Sequence, residues 1–325
     1  MIISRAPLRM SFVGGGSDLP AYFQKNGGAV LSTSINKYVY VTVNKKFDND
    51  IRISYSITEN VNNARQIKHP IVRNALKLLG ISNGIEITSV SDIPSLGSGL
   101  GSSSSFTVAL LHALCTYMGE KISKEKLSSL SSHIEIDLCK DEIGYQDQYA
   151  AAYGGINLIE FNKDDNVLVS PINCKIQTIK KIEESIILFY TGRTRKASSI
   201  LQEQSKNMKN SLKIEMMKKM VSLVYEMKNQ LQKNCIKSFG ELLDKNWKLK
   251  RKMTKHISDY QIDEWYNKGI LAGASGGKLL GAGNGGFMIF FAPKKNHEKI
   301  TNALKDLRRV PFSFNNKGSE IIFQK

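Results

Sequence analysis

The chain has 325 residues, which is long for one hydrophobic core and indicates either one large domain or two closely packed domains. Its 46 lysine and arginine residues exceed its 29 aspartate and glutamate residues, and the net charge of +17 favours anionic partners such as nucleic acids, acidic lipids or phosphorylated metabolites. No stretch approaches 18 uninterrupted apolar residues, and this excludes a membrane-spanning helix.

The first 60 residues are rich in strand patterns. "YVYVTVN" (38–44) alternates β-branched and aromatic residues, and "DIRISYS" (50–56) is predicted to be its hairpin partner. A short helix is predicted over 70–80, with Gly80 as its cap. A strand over 84–94 then runs directly into a glycine- and serine-rich stretch.

Apolar residues after that stretch recur at helical spacing and predict a helix with a buried face. The segment 197–255 is predicted to form two helices that break near Asn234. Mixed strands and helices predict an α+β fold, and we place two domains at 1–180 and 181–325. The remaining predicted elements are helices over 124–138 and 296–308 and strands over 156–161, 185–192, 287–293 and near Glu320.

The stretch "PSLGSGLGSSSS" (94–105) stands between a predicted strand and a predicted helix. Glycines let the backbone approach a phosphate closely, and the free amides of a first helical turn bind anions. The stretch contains no lysine, so it is not a Walker A loop, and its GxGxG spacing differs from the dinucleotide fingerprint. It therefore predicts a phosphate cradle of another kind, with a flexible linker as the alternative.

The lysine excess is heaviest between residues 206 and 255, where the periodicity is helical. We interpret it as a solvated helix face. A nucleic-acid binder is the rival interpretation, but it requires aromatic residues among the basic ones, and this segment has methionine and leucine at helical spacing and few aromatic residues. We therefore expect no nucleic-acid partner.

The four cysteines form no CxxC pair, and their irregular spacing argues against a zinc site and a disulfide framework. The first residues lack the apolar core of a signal peptide. We therefore expect a reduced, soluble, cytoplasmic protein that does not bind membranes and is a monomer or a homodimer.

Three motifs in fixed order give the chain a family resemblance. "RAPLRMSFVGGGSDLPAY" (5–22), "PSLGSGLGSSSS" and "GASGGKLLGAGNGGFMIFF" (273–291) resemble the sugar-binding motif, the nucleotide loop and the third glycine-rich motif of the GHMP kinases, named for galactokinase, homoserine kinase, mevalonate kinase and phosphomevalonate kinase. The resemblance implies a two-domain α+β fold with an active site between the domains. Within the superfamily, "GGGSDLP" and "GYQDQYAAAYGG" are most similar to heptose 7-phosphate kinases and neighbouring sugar-1-kinases.

The resemblance also implies ATP-dependent phosphorylation of a sugar hydroxyl, with the anomeric one expected. Asp147 matches the catalytic aspartate, which orients the acceptor hydroxyl and takes its proton, and Arg9 matches a basic residue beside it. Glu135, with Ser102 or Ser103, is the expected Mg²⁺ site. The expected nucleotide contacts are Pro94, Leu96, Gly97, Ser98, Gly99, Leu100, Gly101, Ser102, Ser103 and Ser104.

Asp18 matches an acid of the family that binds sugar hydroxyls, and Gly15 and Gly16 replace the glutamate and histidine of galactokinases, which disfavours galactose. Arg193 and Arg195, at a helix start, are expected to bind a phosphate already on the substrate. The other expected substrate contacts are Ser17 and Gly283. The alternatives are another sugar-1-kinase, such as a fucokinase, a kinase of isoprenoid or amino-alcohol substrates, or a non-catalytic sensor of the same fold.

Overall fold

The 18-residue strand β2 is the element around which the larger sheet is built. In the computed structural model, which describes residues 1–93, 97–194 and 198–325, β2 pairs with β1 on one side, and with β6 and then β5 on the other. All of these pairings are antiparallel. The strands of this sheet are β1 (Ile2–Val13), β2 (Gly28–Lys45), β3 (Ile51–Ser54), β4 (Thr58–Val61), β5 (Ile85–Ser91), β6 (Ile156–Phe161), β7 (Val167–Pro171) and β12 (Glu320–Gln324).

The predicted hairpin between 38–44 and 50–56 is wrong, because β5 lies between β2 and β3. β3 pairs with β5 in parallel and with β4 in antiparallel orientation. A parallel pair needs a long crossover, and residues 55–84 supply one through β4 and a helix. Ile85 and Ile87 of β5 are buried in the same apolar cluster as Ile51 and Ile53 of β3, so burial favours this order.

A second, four-stranded antiparallel sheet forms in the other half of the chain, in the order β11-β8-β10-β9. Its strands are β8 (Ile186–Tyr190), β9 (Gly276–Leu279), β10 (Phe287–Phe291) and β11 (Arg308–Arg309). The helices are α1 (Pro20–Asn26), α2 (Pro70–Leu78), α3 (Ser102–Tyr117), α4 (Lys124–Ser132), α5 (Gln146–Tyr153), α6 (Ile176–Ser185), α7 (Ser198–Asn207), α8 (Ser211–Gln232), α9 (Phe239–Arg251), α10 (Tyr260–Leu271) and α11 (His297–Ala303).

The segment 197–255 contains three helices where the sequence predicts two. The expected break is present, since Asn234 has a positive φ of 56° between α8 and α9. The additional break follows Asn207, and the side chain of Asn210 accepts hydrogen bonds from the amides of Leu212 and Lys213 to begin α8. The helix predicted over 124–138 continues from α4 into a π-helical turn, His133–Leu138.

Continuous apolar clusters connect the two sheets through the helices between them. α3 packs on β1 and β2, while α9 packs on β9 and also contacts β1. The last strand, β12, pairs with β1, so the end of the chain returns to the first sheet, and the division near residue 180 stays a prediction. Among the described helices, none combines the length and the apolar character that crossing a membrane requires.

Candidate active site

A cleft of about 540 Å³ lies where the three glycine-rich segments of the sequence meet. Its wall is formed by the turn after β1, by the loop before α3, by the start of α5 and by the segment after β9. The predicted site residues in this wall are Arg9, Gly15, Gly16, Asp18, Gly97, Ser98, Gly99, Gly101, Ser102, Ser103, Ser104 and Asp147.

The loop before α3 presents free backbone amides to the cleft. Gly101 adopts a left-handed conformation, with a φ of 75°, immediately before the helix, and no side chain caps the first turn. The first-turn amides have no carbonyl one turn earlier to bind, and α3 begins with serines and no acidic residue. This end of the helix can therefore bind an anion.

The third glycine-rich segment packs directly against this loop. A Cβ added to Gly281 would overlap Gly99, and one added to Gly286 would overlap the carbonyl of Ser98. The Ser98 hydroxyl contacts the hydroxyl of Ser102 at 2.6 Å. Close backbone contact between the two segments thus fixes the shape of the loop.

Arg9 and Asp147 form a two-point ion pair at the base of the cleft. Arg9 Nε donates to Asp147 Oδ1 and Arg9 Nη2 donates to Oδ2, both at 2.8 Å. The remaining guanidinium nitrogen, Nη1, donates to the Gly99 carbonyl at 2.6 Å. The arginine therefore links the carboxylate to the glycine-serine loop and fixes its orientation.

Asp18 is buried in the same cleft wall, where its Oδ2 accepts a hydrogen bond from the Gln146 amide beside Asp147. Its Oδ1 accepts a hydrogen bond from the Gly16 amide at 2.8 Å, and burial is the main cause that raises its pKa, with the charge of Asp147 adding to it. Gly144 leaves the room for this carboxylate, because a Cβ there would overlap Asp18 Oδ2.

Glu135 lies fully buried beneath the start of α3. The Ser103 hydroxyl donates to Glu135 Oε1 at 3.2 Å, and Gln148 Nε2 donates to Oε2 at 2.5 Å. Burial raises the pKa of Glu135 to about 7. No basic side chain in the described ranges forms an ion pair with it, whereas Ser102, the alternative partner, points to Ser98.

Comparison with known proteins assigns the family. The profile of the GHMP kinases N-terminal domain matches residues 66–155, and that of the GHMP kinases C-terminal domain matches residues 227–309. A relative named D-glycero-alpha-D-manno-heptose 7-phosphate kinase, from Campylobacter jejuni, is 30% identical over 98% of this chain and 97% of its own. The chain belongs to the GHMP kinase family.

Other relatives agree with this assignment. A crystal structure described as a D-glycero-D-manno-heptose 1-phosphate kinase from Bacteroides thetaiotaomicron superposes with a TM-score of 0.83 and 26% identity, covering 100% of both chains. A bifunctional fucokinase/GDP-fucose pyrophosphorylase from Arabidopsis thaliana is 26% identical over 93% of this chain and 30% of its own length. The predicted α+β GHMP kinase fold and the predicted phosphotransferase class are therefore confirmed, and the family implies ATP as a substrate.

Several predicted contacts of this GHMP kinase lie away from the cleft wall. Arg193 donates to both carboxylate oxygens of Asp259 and to the side chain of Asn284. Ser17 is fully buried and exchanges hydrogen bonds with the backbone of Ala29. Three further predicted residues lie outside the described ones: Pro94, Leu96 and Arg195.

Two other predicted contacts, Gly283 and Leu100, pack against neighbouring segments and do not line the cleft. A Cβ on Gly283 would lie 2.7 Å from the Cα of Ile257, so this glycine packs against the segment before α10. Leu100 is fully buried, and its carbonyl accepts a hydrogen bond from the Arg9 amide at 3.0 Å. Leu100 thereby joins the glycine-serine loop to β1.

Several polar residues of this cleft were not predicted from the sequence, among them Gln146, Lys278 and Lys250. Gln146 accepts from Ser11 Oγ at 2.6 Å and donates to Asp147 Oδ1 at 3.2 Å. Lys278 Nζ donates to the carbonyls of Ser11 and Phe12. Lys250, on α9, is buried in the cleft wall; its position in the buried stripe of an amphipathic helix is the signal that sequence analysis could have used.

Proposed function

We propose that this kinase transfers the γ-phosphoryl group of ATP to the anomeric hydroxyl of a heptose phosphate. The observation that carries the proposal is the Arg9–Asp147 pair, which lies directly beside the anion-binding start of α3. Phosphoryl transfer requires amides that bind the donor phosphates and, next to them, a carboxylate that binds the acceptor hydroxyl.

Asp147 acts on the acceptor. Arg9 occupies one side of both carboxylate oxygens, and the remaining lone pairs can accept the hydrogen bond of a sugar hydroxyl. The carboxylate orients this hydroxyl and takes its proton as the new O–P bond forms. Asp18, which faces the same cleft, binds other hydroxyls of the sugar.

The loop residues 97–104 bind the triphosphate through the amides that begin α3. Ser103 and Glu135 fit a magnesium ion that accompanies it, because they offer a hydroxyl and a carboxylate without a basic partner among the described residues. Their oxygens lie 3.2 Å apart, close to the roughly 3 Å expected of neighbouring ligands at 2.0–2.1 Å from Mg²⁺. When bound, the ion neutralises charge on the phosphates.

D-glycero-D-manno-heptose 7-phosphate is the proposed acceptor, because the relative that matches over 98% of the chain carries that substrate in its name. The name of the superposed structure refers to a heptose 1-phosphate kinase instead, so both positions of the existing phosphate need testing. Gly15 and Gly16, which replace the glutamate and histidine of galactokinases, line the cleft together with Asp18. The product would serve nucleotide-activated heptose and surface-polysaccharide synthesis in the cytoplasm.

The test is a panel of acceptors assayed for ATP consumption, with NMR of the product to locate the new phosphate. We expect phosphorylation of heptose 7-phosphate at the anomeric oxygen, and much slower reaction with heptose 1-phosphate, the free heptose, fucose, galactose and mevalonate. Equal rates with heptose and heptose 7-phosphate would contradict recognition of a substrate phosphate. Preferred turnover of fucose would favour the fucokinase alternative, and no turnover of any acceptor would favour a non-catalytic sensor.

A further inference from the structure

Lys250 occupies a position where an amphipathic helix normally carries an apolar residue. The buried stripe of α9 runs through Phe239, Leu242, Leu243, Asn246 and Trp247 and ends at Lys250, which is 5% exposed. Burying an ammonium group is costly unless it finds charged or hydrogen-bonding partners. The buried face of α9 therefore places the ammonium of Lys250 inside the molecule, in the wall of the cleft.

The Lys250 ammonium lies where the three glycine-rich segments meet. It donates to the carbonyl of Gly281 at 2.9 Å, and a Cβ on Gly15 would be 3.5 Å from Nζ. Gly281 in turn packs on Gly99 of the nucleotide loop. The ammonium thus stands between the loop that receives the donor phosphates and the turn that carries Asp18.

This ammonium is incompletely satisfied by the protein. Within the described part of the chain, Gly281 is its one hydrogen-bond acceptor, so two of its three N–H bonds remain for a ligand. Asp18 and Asp147 attract it from a distance and Arg9 repels it, but burial dominates and lowers its pKa to about 8. Lys278 differs, because two backbone carbonyls already hold its Nζ.

We propose that Lys250 is a catalytic residue that donates hydrogen bonds to the phosphoryl group as it passes from ATP to the acceptor. The inference rests on the proposed function. The acceptor oxygen forms its bond to the γ-phosphorus, the bond from this phosphorus to the bridging oxygen breaks, and ADP leaves with that electron pair. Asp147 takes the hydroxyl proton, while Lys250 keeps its own and stabilises the charge on the transferring oxygens.

The test compares Lys250→Met with Lys245→Met, a matched change at an exposed lysine of the same helix. We expect Lys250→Met to lower kcat by about 10²–10³-fold, as the loss of one charge-stabilising donor does. The KM for ATP and the affinity for ADP should change little, and Lys245→Met should resemble the wild type. Circular dichroism and thermal unfolding show whether both variants fold.

Two further measurements separate this inference from the proposed function. Lys250→Ala should regain part of its turnover in ethylammonium chloride, because a free ammonium can enter the vacated space. The slow hydrolysis of ATP by water requires no sugar, and it should fall in Lys250→Met even if every sugar in the panel fails. An unchanged kcat, or a rise in the acceptor KM alone, would overturn the role of Lys250.

Discussion

Arg9 holds both oxygens of Asp147 before any acceptor is bound, so the carboxylate needs no reorientation on binding. Replacing Asp147 by asparagine keeps the size of the side chain but removes the proton acceptor. We expect kcat to fall by about 10³-fold, within the range for loss of a general base, while calorimetry shows ADP binding close to wild type. Asp137→Asn changes an exposed carboxylate and serves as the control; near-wild-type turnover by Asp147→Asn would remove the residue from this role.

Gly101 combines a positive φ with contact to the catalytic pair. A Cβ at this position would lie 3.2 Å from Asp147 Oδ2 and 3.3 Å from Arg9 Cγ. Gly119 is a matched control, because its φ of 81° is similar and a Cβ there would meet nothing within 4 Å. We expect alanine at either position to cost about 1–2 kcal/mol of folding free energy, whereas only Gly101→Ala lowers kcat.

Urea unfolding and steady-state kinetics of the two glycine variants decide this prediction. Equal loss of activity in both would mean that backbone strain alone explains the effect. Retained activity in Gly101→Ala would mean that the carboxylate can move aside without consequence.

At the scale of single residues, the family resemblance predicted which side chains the glycine-rich segments bring together. Arg9 and Asp18 belong to the first motif and Asp147 lies 138 positions after Arg9, yet all three line one cleft. Arg193 was predicted to bind a substrate phosphate because a basic residue at a helix start suits a dianion, whereas its guanidinium pairs with Asp259, 66 positions later. Such long-range partners have no local pattern that reveals them.

The buried charge of Lys250 in helix α9 lowers the free energy of unfolding of the protein. The pKa of this lysine is lowered to about 8 by burial, against 10.5 ordinarily. Between these two values the unfolded chain binds the proton and the folded protein does not, so this residue makes stability rise with pH. Below pH 8 the folded protein carries the buried charge, and the residue lowers stability there.

Lys250→Met should therefore stabilise the protein at pH 7. At about 1.36 kcal/mol per pKa unit, the lowered pKa corresponds to a relief of about 3 kcal/mol, from which the lost hydrogen bond to Gly281 subtracts about 1 kcal/mol. Urea unfolding of both proteins at pH 7 and pH 10 measures the difference, and the advantage of the variant should shrink at pH 10. If Lys250→Met were less stable than the wild type by the same amount at pH 7 and at pH 10, burial of the Lys250 charge would not be what lowers stability.

At the scale of elements, local patterns located strands and helices but did not decide which strands pair. The strand predicted over 156–161 is β6 with the same bounds. The hairpin between 38–44 and 50–56 was wrong, because alternation of buried residues describes a strand's faces and not its neighbour. The edge of β2 is taken by β5, 40 residues later in the chain, and only the tertiary fold places it there.

At the scale of the whole molecule, the first strand, β1, and the last strand, β12, lie side by side in one sheet. β12 extends the first sheet next to β1, Arg5 pairs with Glu320, and the amino group of Met1 donates to the carbonyl of Lys325 at 2.8 Å. The sequence predicted a strand near Glu320 but gave no partner for it. The predicted division at residue 180 assigns residues 320–324 to the second domain, whereas β12 pairs with β1 in the first sheet; the division itself stays a prediction.

Removal of residues 320–325 tests what this closure contributes. The shortened chain loses the pairing of β12 and exposes the edge of β1, so we expect the melting temperature to fall by about 5 °C. Turnover at 20 °C should stay within about twofold of wild type, because β12 pairs with Ile2–Arg5 whereas Arg9 is fixed by Gly99 and Asp147. Glu320→Gln keeps the strand, removes only the partly exposed ion pairs of Glu320 with Arg5 and Lys317, and should shift the melting temperature little. An unchanged melting temperature would show that β12 does not stabilise the first sheet. A folded but inactive shortened chain would show that β12 is needed for turnover.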